Sequence, residues 1–387
     1  MNIEPIQNWL PGTSRPIIIS GPCGAESEEQ MLKTAAGLKK LNAVTVFRSG
    51  IWKPRTRPNS FEGVGSIGLK WLQEVKAGFG FLTAVEVANA QHVDEALNAK
   101  VDILWIGART TVNPFSVQEI ADALQGINVP VMVKNPIHAD LQLWIGALER
   151  LNLAGVEKLV AVHRGFFAST QPGIHSNPGI HGNIDSAITK DHTTSFNYRN
   201  PPHWELPIEL KTIFPQLPII CDPSHICGSR ELLLKVSQKA LDLNFEGLMI
   251  ESHYNPALAK SDKNQQLTPE ELRELLNSLI VRTAGSTSEE FTNKLESLRK
   301  SVDEIDKELI ECLARRMELI EQIGIYKQEN NITVLQLERW LEILQTRTSW
   351  AEAKSIDKEF IQKLYKLLHK ESIRLQTEVM NERIEKS

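Results

Sequence analysis

Leu217–Pro–Ile–Ile–Cys–Asp–Pro–Ser–His225, a short apolar run ending in an imidazole, is one of eight stretches built alike. The others are Pro16–Cys23, Val44–Arg48, Phe79–Glu86, Val101–Arg109, Val129–Lys134, Lys158–Arg164 and Gly247–Glu251. Each is rich in Val, Ile, Leu or Phe, and most are followed by an amphipathic stretch of helical period. Eight strand-then-helix units predict an α/β fold, a closed parallel (β/α)8 TIM barrel. In that architecture the active site lies at the carboxyl ends of the strands, and nearly every run ends in a residue that can bind a metal or an anion.

The chain has 387 residues, whereas a barrel uses about 250. Composition changes near Gly285. Up to that residue 54 of 285 positions are charged; beyond it 37 of 102 are, with no proline and only Gly324 as glycine. The tail therefore reads as long helices, over about 288–329, 334–347 and 357–382. The expected domains are a barrel over 1–284, a linker over 285–290 and a separate all-α domain over 291–387. A net charge of −5 argues against nucleic acid as a partner. The first residues do not read as a signal peptide, and no run of ~18 apolar residues predicts a membrane span. Cys23, Cys221, Cys227 and Cys312 show no CxxC spacing, so a reducing, cytoplasmic setting is expected. The barrel begins so close to Met1 that no N-terminal regulatory domain is expected. The segment 166–214, rich in Gly, Pro, Asn and His, is too long for an ordinary connection and reads as a lid; its histidines are too irregularly spaced to suggest a metal.

Two constellations carry the barrel's chemistry. Cys23, His225 and Glu251 end strands 1, 7 and 8, and Asp262 follows in the next loop. A thiolate, an imidazole and two carboxylates would suit one borderline divalent ion such as Mn, Fe, Co or Zn. Singly, each has a plainer reading: a buried cysteine is a small hydrophobe, and a loop acid is solvated. Cations form the second set. Arg48, Lys53, Arg55 and Arg57 follow strand 2, while Arg109, Lys134 and Arg164 end strands 4, 5 and 6, and Arg57 alone could be a solvated charge. Cations gathered at one mouth predict substrates with several negative charges, phosphates above all. Glu86 among them could act on a proton or orient water. Gly63–Val–Gly–Ser–Ile–Gly68 matches GxGxxG, but no strand leads into it and no nucleotide unit surrounds it.

Gly21–Pro–Cys–Gly24, Lys53–Pro–Arg–Thr56, Gly107–Ala–Arg109, Lys134–Asn135, Asp222–Pro–Ser–His225 and Ser261–Asp262 closely resemble 3-deoxy-D-arabino-heptulosonate 7-phosphate (DAHP) synthases with a compact barrel (type I beta). The resemblance implies condensation of phosphoenolpyruvate with erythrose 4-phosphate, the opening of the shikimate pathway to the aromatic amino acids. It implies metal ligation by Cys23, His225, Glu251 and Asp262. Arg48 and Lys53 would hold the phosphoenolpyruvate carboxylate, and Arg109, Lys134 and Arg164 its phosphate. Arg55 and Thr56 would contact the phosphate of erythrose 4-phosphate. Octulosonate phosphate synthases share the barrel, but Lys53–Pro–Arg–Thr56 argues against them. The stretch after Arg164, Gly–Phe–Phe–Ala–Ser, departs from the common pattern of this branch.

In the first tail helix Leu295, Leu298, Val302, Ile305, Leu309, Cys312, Leu319 and Ile323 form an apolar stripe interrupted by Arg316. An unpaired buried guanidinium costs several kcal/mol, so Arg316 asks for an anionic partner. Lys327, eleven residues on, lies about 20° away around the helix, while Arg299 lies about 100° off that face. One helix could offer Arg316 and Lys327 to one site and Arg299 to another, as in an intertwined dimer. Ser372 and Gln376 are i,i+4 neighbours on the third helix. The plainer alternative is an interaction helix with an internal salt bridge.

These residues, with Asp306, Arg315 and Arg339, resemble the all-helical chorismate mutases over Leu295–Met380. The resemblance implies rearrangement of chorismate to prephenate. Arg299 of a partner chain and Arg316 would hold carboxylates, Lys327 and Gln376 the ether oxygen, and Arg339 and Ser372 would help seat the substrate. The family's usual acidic pair is replaced by Gln336 and Trp340, and a tryptophan cannot accept as a carboxylate does. The expectation is a bifunctional, homo-oligomeric enzyme of aromatic biosynthesis, under allosteric control by prephenate through the tail. Two other readings of the tail stay open: a chorismate- or prephenate-sensing dimerisation module with little activity, and a structural helix hairpin that leaves Arg316 unexplained.

Overall fold

The computed structural model describes residues 1–10, 15–53, 61–167, 198–283 and 285–381. They fall in two compact units that divide after residue 284. In the first, β1 (Ile17–Gly21), β2 (Val46–Ser49), β3 (Leu82–Val87), β4 (Ile103–Ile106), β5 (Val131–Lys134), β6 (Leu159–His163), β7 (Ile219–Cys221) and β8 (Gly247–Glu251) close a parallel barrel in sequence order. Closure is the β8–β1 pairing, from Ile17 opposite Gly247 to Gly21 opposite Glu251.

Around the strands lie α1 (Ile6–Trp9), α2 (Glu28–Lys39), α3 (Ile67–Phe79), α4 (Ala90–Asn98), α5 (Ala108–Thr111), α6 (Pro114–Ala123), α7 (Leu141–Leu153), α8 (Glu205–Ile213), α9 (Pro223–Cys227), α10 (Leu233–Asp242) and α11 (Pro269–Ser278). Side-chain oxygens of Ser27, Asn89, Asn113, Asp140 and Thr268 accept the free amides at the starts of α2, α4, α6, α7 and α11, so the turn after a strand stops where its polar residue caps the next helix.

The core has two layers. Inside the barrel, Ile19, Val46, Ala84, Trp105, Met132, Val160, Val162, Ile220 and Met249 pack together. Ile6 and Leu10 from α1 and its end join this cluster beside Ile17 and Ile103, the first residues of β1 and β4. The outer layer, between strands and helices, includes Met31, Leu38, Leu72, Val75, Trp144 and Leu148. Burial on both faces explains why the strands read as unbroken apolar runs.

The second unit contains α12 (Glu289–Glu329), α13 (Leu337–Glu352) and α14 (Lys358–Asn381). Ser288 caps α12 by accepting from the Phe291 amide. The middle helix starts later and ends later than its spacing predicts. The Lys327 ammonium, donating to the Val334 carbonyl at 2.7 Å, ties the preceding loop to α12, and Ala351 still packs inward near its far end. No described helix is long and apolar enough to cross a membrane.

Candidate active sites

At the carboxyl-terminal mouth of the barrel, donor atoms of Cys23, Glu251 and Asp262 lie within 4.8 Å of one another. His225, on α9 just beyond β7, stands beside them, its Nε2 3.8 Å from Glu251 Oε1 and its Nδ1 2.8 Å from Asp222 Oδ2. The strands fix these positions: Glu251 is the last residue of β8, and Cys23 lies two residues past β1, which pairs with it.

Each acid or thiol of the cluster faces a cation. Arg48 Nη1 donates to Glu251 Oε1 at 2.8 Å, Lys53 Nζ to Cys23 Sγ at 3.1 Å, and Arg199 Nη1 to Asp262 Oδ1 at 2.9 Å. Burial, reinforced by Glu251, pushes the Cys23 thiol up to about 12 against the pull of Lys53. Burial would also raise Glu251 and Asp262, yet His225 and Arg48 hold the first carboxyl below its usual range, and Arg199 and His225 hold the second well below. Such a pocket keeps carboxylates charged and offers sulfur, nitrogen and oxygen donors to one small volume. That donor set fits a borderline divalent ion.

The cations of the mouth are also placed. Arg48 is buried, its guanidinium 4.7 Å from the centre of the Trp105 ring, and its Nε has no partner among the described residues. Lys134 Nζ donates to Asp222 Oδ2 at 2.8 Å. Burial would raise the Asp222 carboxyl, but His225 and Lys134 hold it well below the usual range. Arg164 follows β6 and is drawn down to about 10, by burial first and by Arg199 and Arg109, while Asp222 opposes. Mutually repelling guanidinia gathered in one place are stable only beside anions. Arg109 lies on α5 and is exposed. Glu86 sits within β3 and accepts from the Trp105 indole at 3.2 Å. It reaches there because residue 107 is glycine: a Cβ at that position would come within 2.0 Å of Glu86 Oε1. Arg55 and Thr56 lie outside the described residues, as do His175, His181 and His192 of the long segment.

Three participants carry no role in the sequence reading. Arg199 precedes Asn200, whose amide donates to the His225 carbonyl at 2.6 Å; Asp222 orders Lys134 and His225 together; Gln265 Nε2 donates to Glu251 Oε2 at 2.7 Å. Asp222 sits in a quoted motif and could have been found there. Arg199 and Gln265 lie in aperiodic stretches where only folding brings them to the mouth.

In the helical unit, Arg316 Nη1 on α12 donates to Ser372 Oγ on α14 at 3.0 Å. Gln376, one turn on, is buried with its Oε1 unpartnered among the described residues. Gly324, the only buried residue of α12, makes this approach possible: a Cβ there would lie 3.2 Å from the Gln376 Cα. Lys327 and Gln336 line a cavity of about 550 Å³ with Leu319, Ile323, Tyr326 and Ile332. Burial lowers both Arg316 and Lys327. Arg339 is exposed and pairs with Glu342 at 2.6 Å. Arg299 is likewise exposed and pairs with Glu296 at 2.6 Å. Seventeen residues of continuous helix put it about 25 Å along the axis from Arg316, so one chain does not bring the two together.

Residues 2–284 match the DAHP synthetase I family, and residues 298–377 match chorismate mutase type II. A phospho-2-dehydro-3-deoxyheptonate aldolase from Thermotoga maritima is 29% identical over 262 residues, covering 68% of each chain. A 2-dehydro-3-deoxyphosphooctonate aldolase from Paraburkholderia xenovorans is 26% identical, over 70% of this chain and 92% of its own. The solved structure of the Thermotoga maritima DAHP synthase superposes with a TM-score of 0.54 at 27% identity, covering 67% of each chain. Its truncated form gives the same score at 25% identity, with 67% of this chain and 84% of that one covered. With the closed barrel, the mouth and the Arg316–Ser372–Gln376 cluster in view, these matches have one reading: the chain belongs to the DAHP synthetase I family and carries a chorismate mutase type II segment after its barrel.

Proposed function

We propose that the barrel condenses phosphoenolpyruvate with erythrose 4-phosphate to DAHP and phosphate, and that the helical unit rearranges chorismate to prephenate. The observation that carries the first half is the mixed Cys23–Glu251–Asp262 cluster beside His225, ringed by Arg48, Lys53, Lys134 and Arg164. Those four donors would hold one divalent ion of the Mn, Fe, Co or Zn class, supplying Lewis acidity toward an aldehyde oxygen or a water. Arg48 and Lys53 bind the phosphoenolpyruvate carboxylate, the Arg48 Nε having no partner among the described residues. Lys134, Arg164 and Arg109 bind the phosphate, and Arg55 with Thr56 the phosphate of the aldose. Carbon 3 of phosphoenolpyruvate adds to the aldehyde carbon, water adds at carbon 2, and phosphate departs onto the same cations. Fixed cations need no reorganisation as charge moves. Glu86, held by Trp105 and beneath Gly107, orients the water or takes its proton.

The helical reaction is a unimolecular rearrangement needing no covalent partner. Arg316, aligned by Ser372, and Arg299 of a second copy grip the two carboxylates; Lys327 and Gln376 address the ether oxygen; Arg339 helps seat the substrate. The 25 Å along α12 between Arg299 and Arg316, together with the apolar side chains α12 leaves exposed, supports a homodimer or higher oligomer. Gln336 and Trp340 favour the second reading, a prephenate- or chorismate-sensing module with little turnover that regulates the barrel.

Chorismate disappearance with the full chain, beside Arg316→Ala, separates the two. Turnover that Arg316→Ala lowers by about 10²–10³-fold is expected for a catalytic site. A folded chain that binds prephenate without turning chorismate over would make the tail a sensor.

A further inference from the structure

The Trp340 ring, in the place where the mutase resemblance expects an acid, stacks on His369 with ring centres 3.9 Å apart and planes 11° from parallel. His369, Ser372 and Gln376 follow at i, i+3 and i+7, within an arc of about 60° on one face of α14. On that face Arg316 donates to Ser372, and the buried Gln376 Oε1 stays unpartnered among the described residues. The stack covers one face of the imidazole and leaves its edge available. Neither ring nitrogen bonds to a described residue.

We propose that His369, aligned by Trp340, is a further ligand-binding group of the helical site, presenting an imidazolium to a dicarboxylate beside Arg316 and Lys327. This rests on the reading of that site as one for chorismate or prephenate. The charges around the ring explain how it works. From α12 it feels Arg316 and Lys327; from α13 it meets neutral Trp340, while neighbouring Arg339 is neutralised by Glu342; on α14 Tyr365 lies one turn back. Burial first, then Arg316 and Lys327, hold the imidazole below its ordinary range, and no carboxylate opposes them. In the free protein at neutral pH the ring is therefore uncharged. A bound dianion cancels the two cations that suppress it, so the ring takes one proton from solvent and the ligand gains a further positive partner. The device compensates for the lost acid: instead of a carboxylate accepting from the ligand, an imidazole edge donates to it.

The test is calorimetric titration of the full chain with prephenate at pH values from about 8 to 6, in buffers of differing ionisation enthalpy. Proton uptake on binding and an affinity that rises as pH falls are expected, by about tenfold for each unit by which the ligand raises the imidazole. His369→Gln should bind with no proton uptake and a flat profile. Trp340→Leu, which removes the stack, should show a weakened version of the same loss, with circular dichroism confirming helix content in both. If wild type and His369→Gln take up protons equally, the proposal is overturned while the site remains a prephenate site. If folded wild-type protein does not bind prephenate, both this proposal and the reading beneath it are overturned.

Discussion

The barrel and the helical unit solve the problem of holding cations in opposite ways. In the barrel, Arg48 and Lys134 are buried and each has a carboxylate within 2.8 Å from another strand or loop of the same chain. In the helical unit, of the described residues only Gly324, Thr348, Ala351, Ser372 and Gln376 are buried. Leu298, Val302, Ile305, Leu309, Leu319 and Ile323 are all exposed. The barrel's site closes within one chain because eight short strands bring distant residues to one ring. Three helices make too little enclosed volume for that, so an apolar stripe and Arg299 are left facing outward. A unit can thus match an enzyme family while a single copy holds Arg299 and Arg316 about 25 Å apart on one helix.

The largest effect expected from this contrast is on acid stability. His163 is buried among Phe166, Trp204 and Phe245, and burial, helped by Arg164, brings it down to about 3 from 6.5. Its folded value lies below its unfolded one, so the unfolded chain takes the proton first as pH falls. The barrel's stability from this group is whole above about 6.5 and is lost progressively toward 3, by roughly 3–5 kcal/mol. His163→Leu should flatten that part of the pH profile of barrel unfolding; equal slopes in wild type and variant would show that the histidine is not held neutral. The next effect concerns the exposed stripe. Leu309→Glu should weaken self-association by about 10²-fold, since a symmetric interface loses the side chain twice. Sedimentation equilibrium reads it, and an unchanged oligomer would place the interface elsewhere. The smallest is Gly107→Ala. Its Cβ displaces Glu86 without removing any cation, so phosphoenolpyruvate consumption with erythrose 4-phosphate should fall about tenfold at nearly unchanged substrate affinity. Full activity would take Glu86 out of the reaction.

Much of the barrel was readable because its strands are buried on both faces, which forces unbroken runs of Val, Ile and Leu, and because a barrel puts the end of each run at one mouth. That is why Cys23, Glu251 and Lys134 could be selected from linear position. The same logic misplaced some details. Arg48 stands inside its strand rather than past it, Glu86 one residue before the end of its own, and His225 and Arg109 ride on short helices after theirs. A one-turn helix of four or five residues leaves no periodicity to read. In the tail, the interruption of the stripe at Arg316 was visible, since helical period is a local property, whereas the boundaries of α13 depended on a contact between Lys327 and the loop before it.

By itself the sequence determined the two architectures, the change near Gly285, the kinds of donors at the mouth and the cations of the tail, because these follow from local period and residue chemistry. Tertiary structure alone decided which groups became partners. Arg199 reaches Asp262 across 63 positions, Gln265 supports Glu251, and Trp340 meets His369 between two helices. Side-chain pairing depends on where separate elements cross, and no local pattern encodes a crossing.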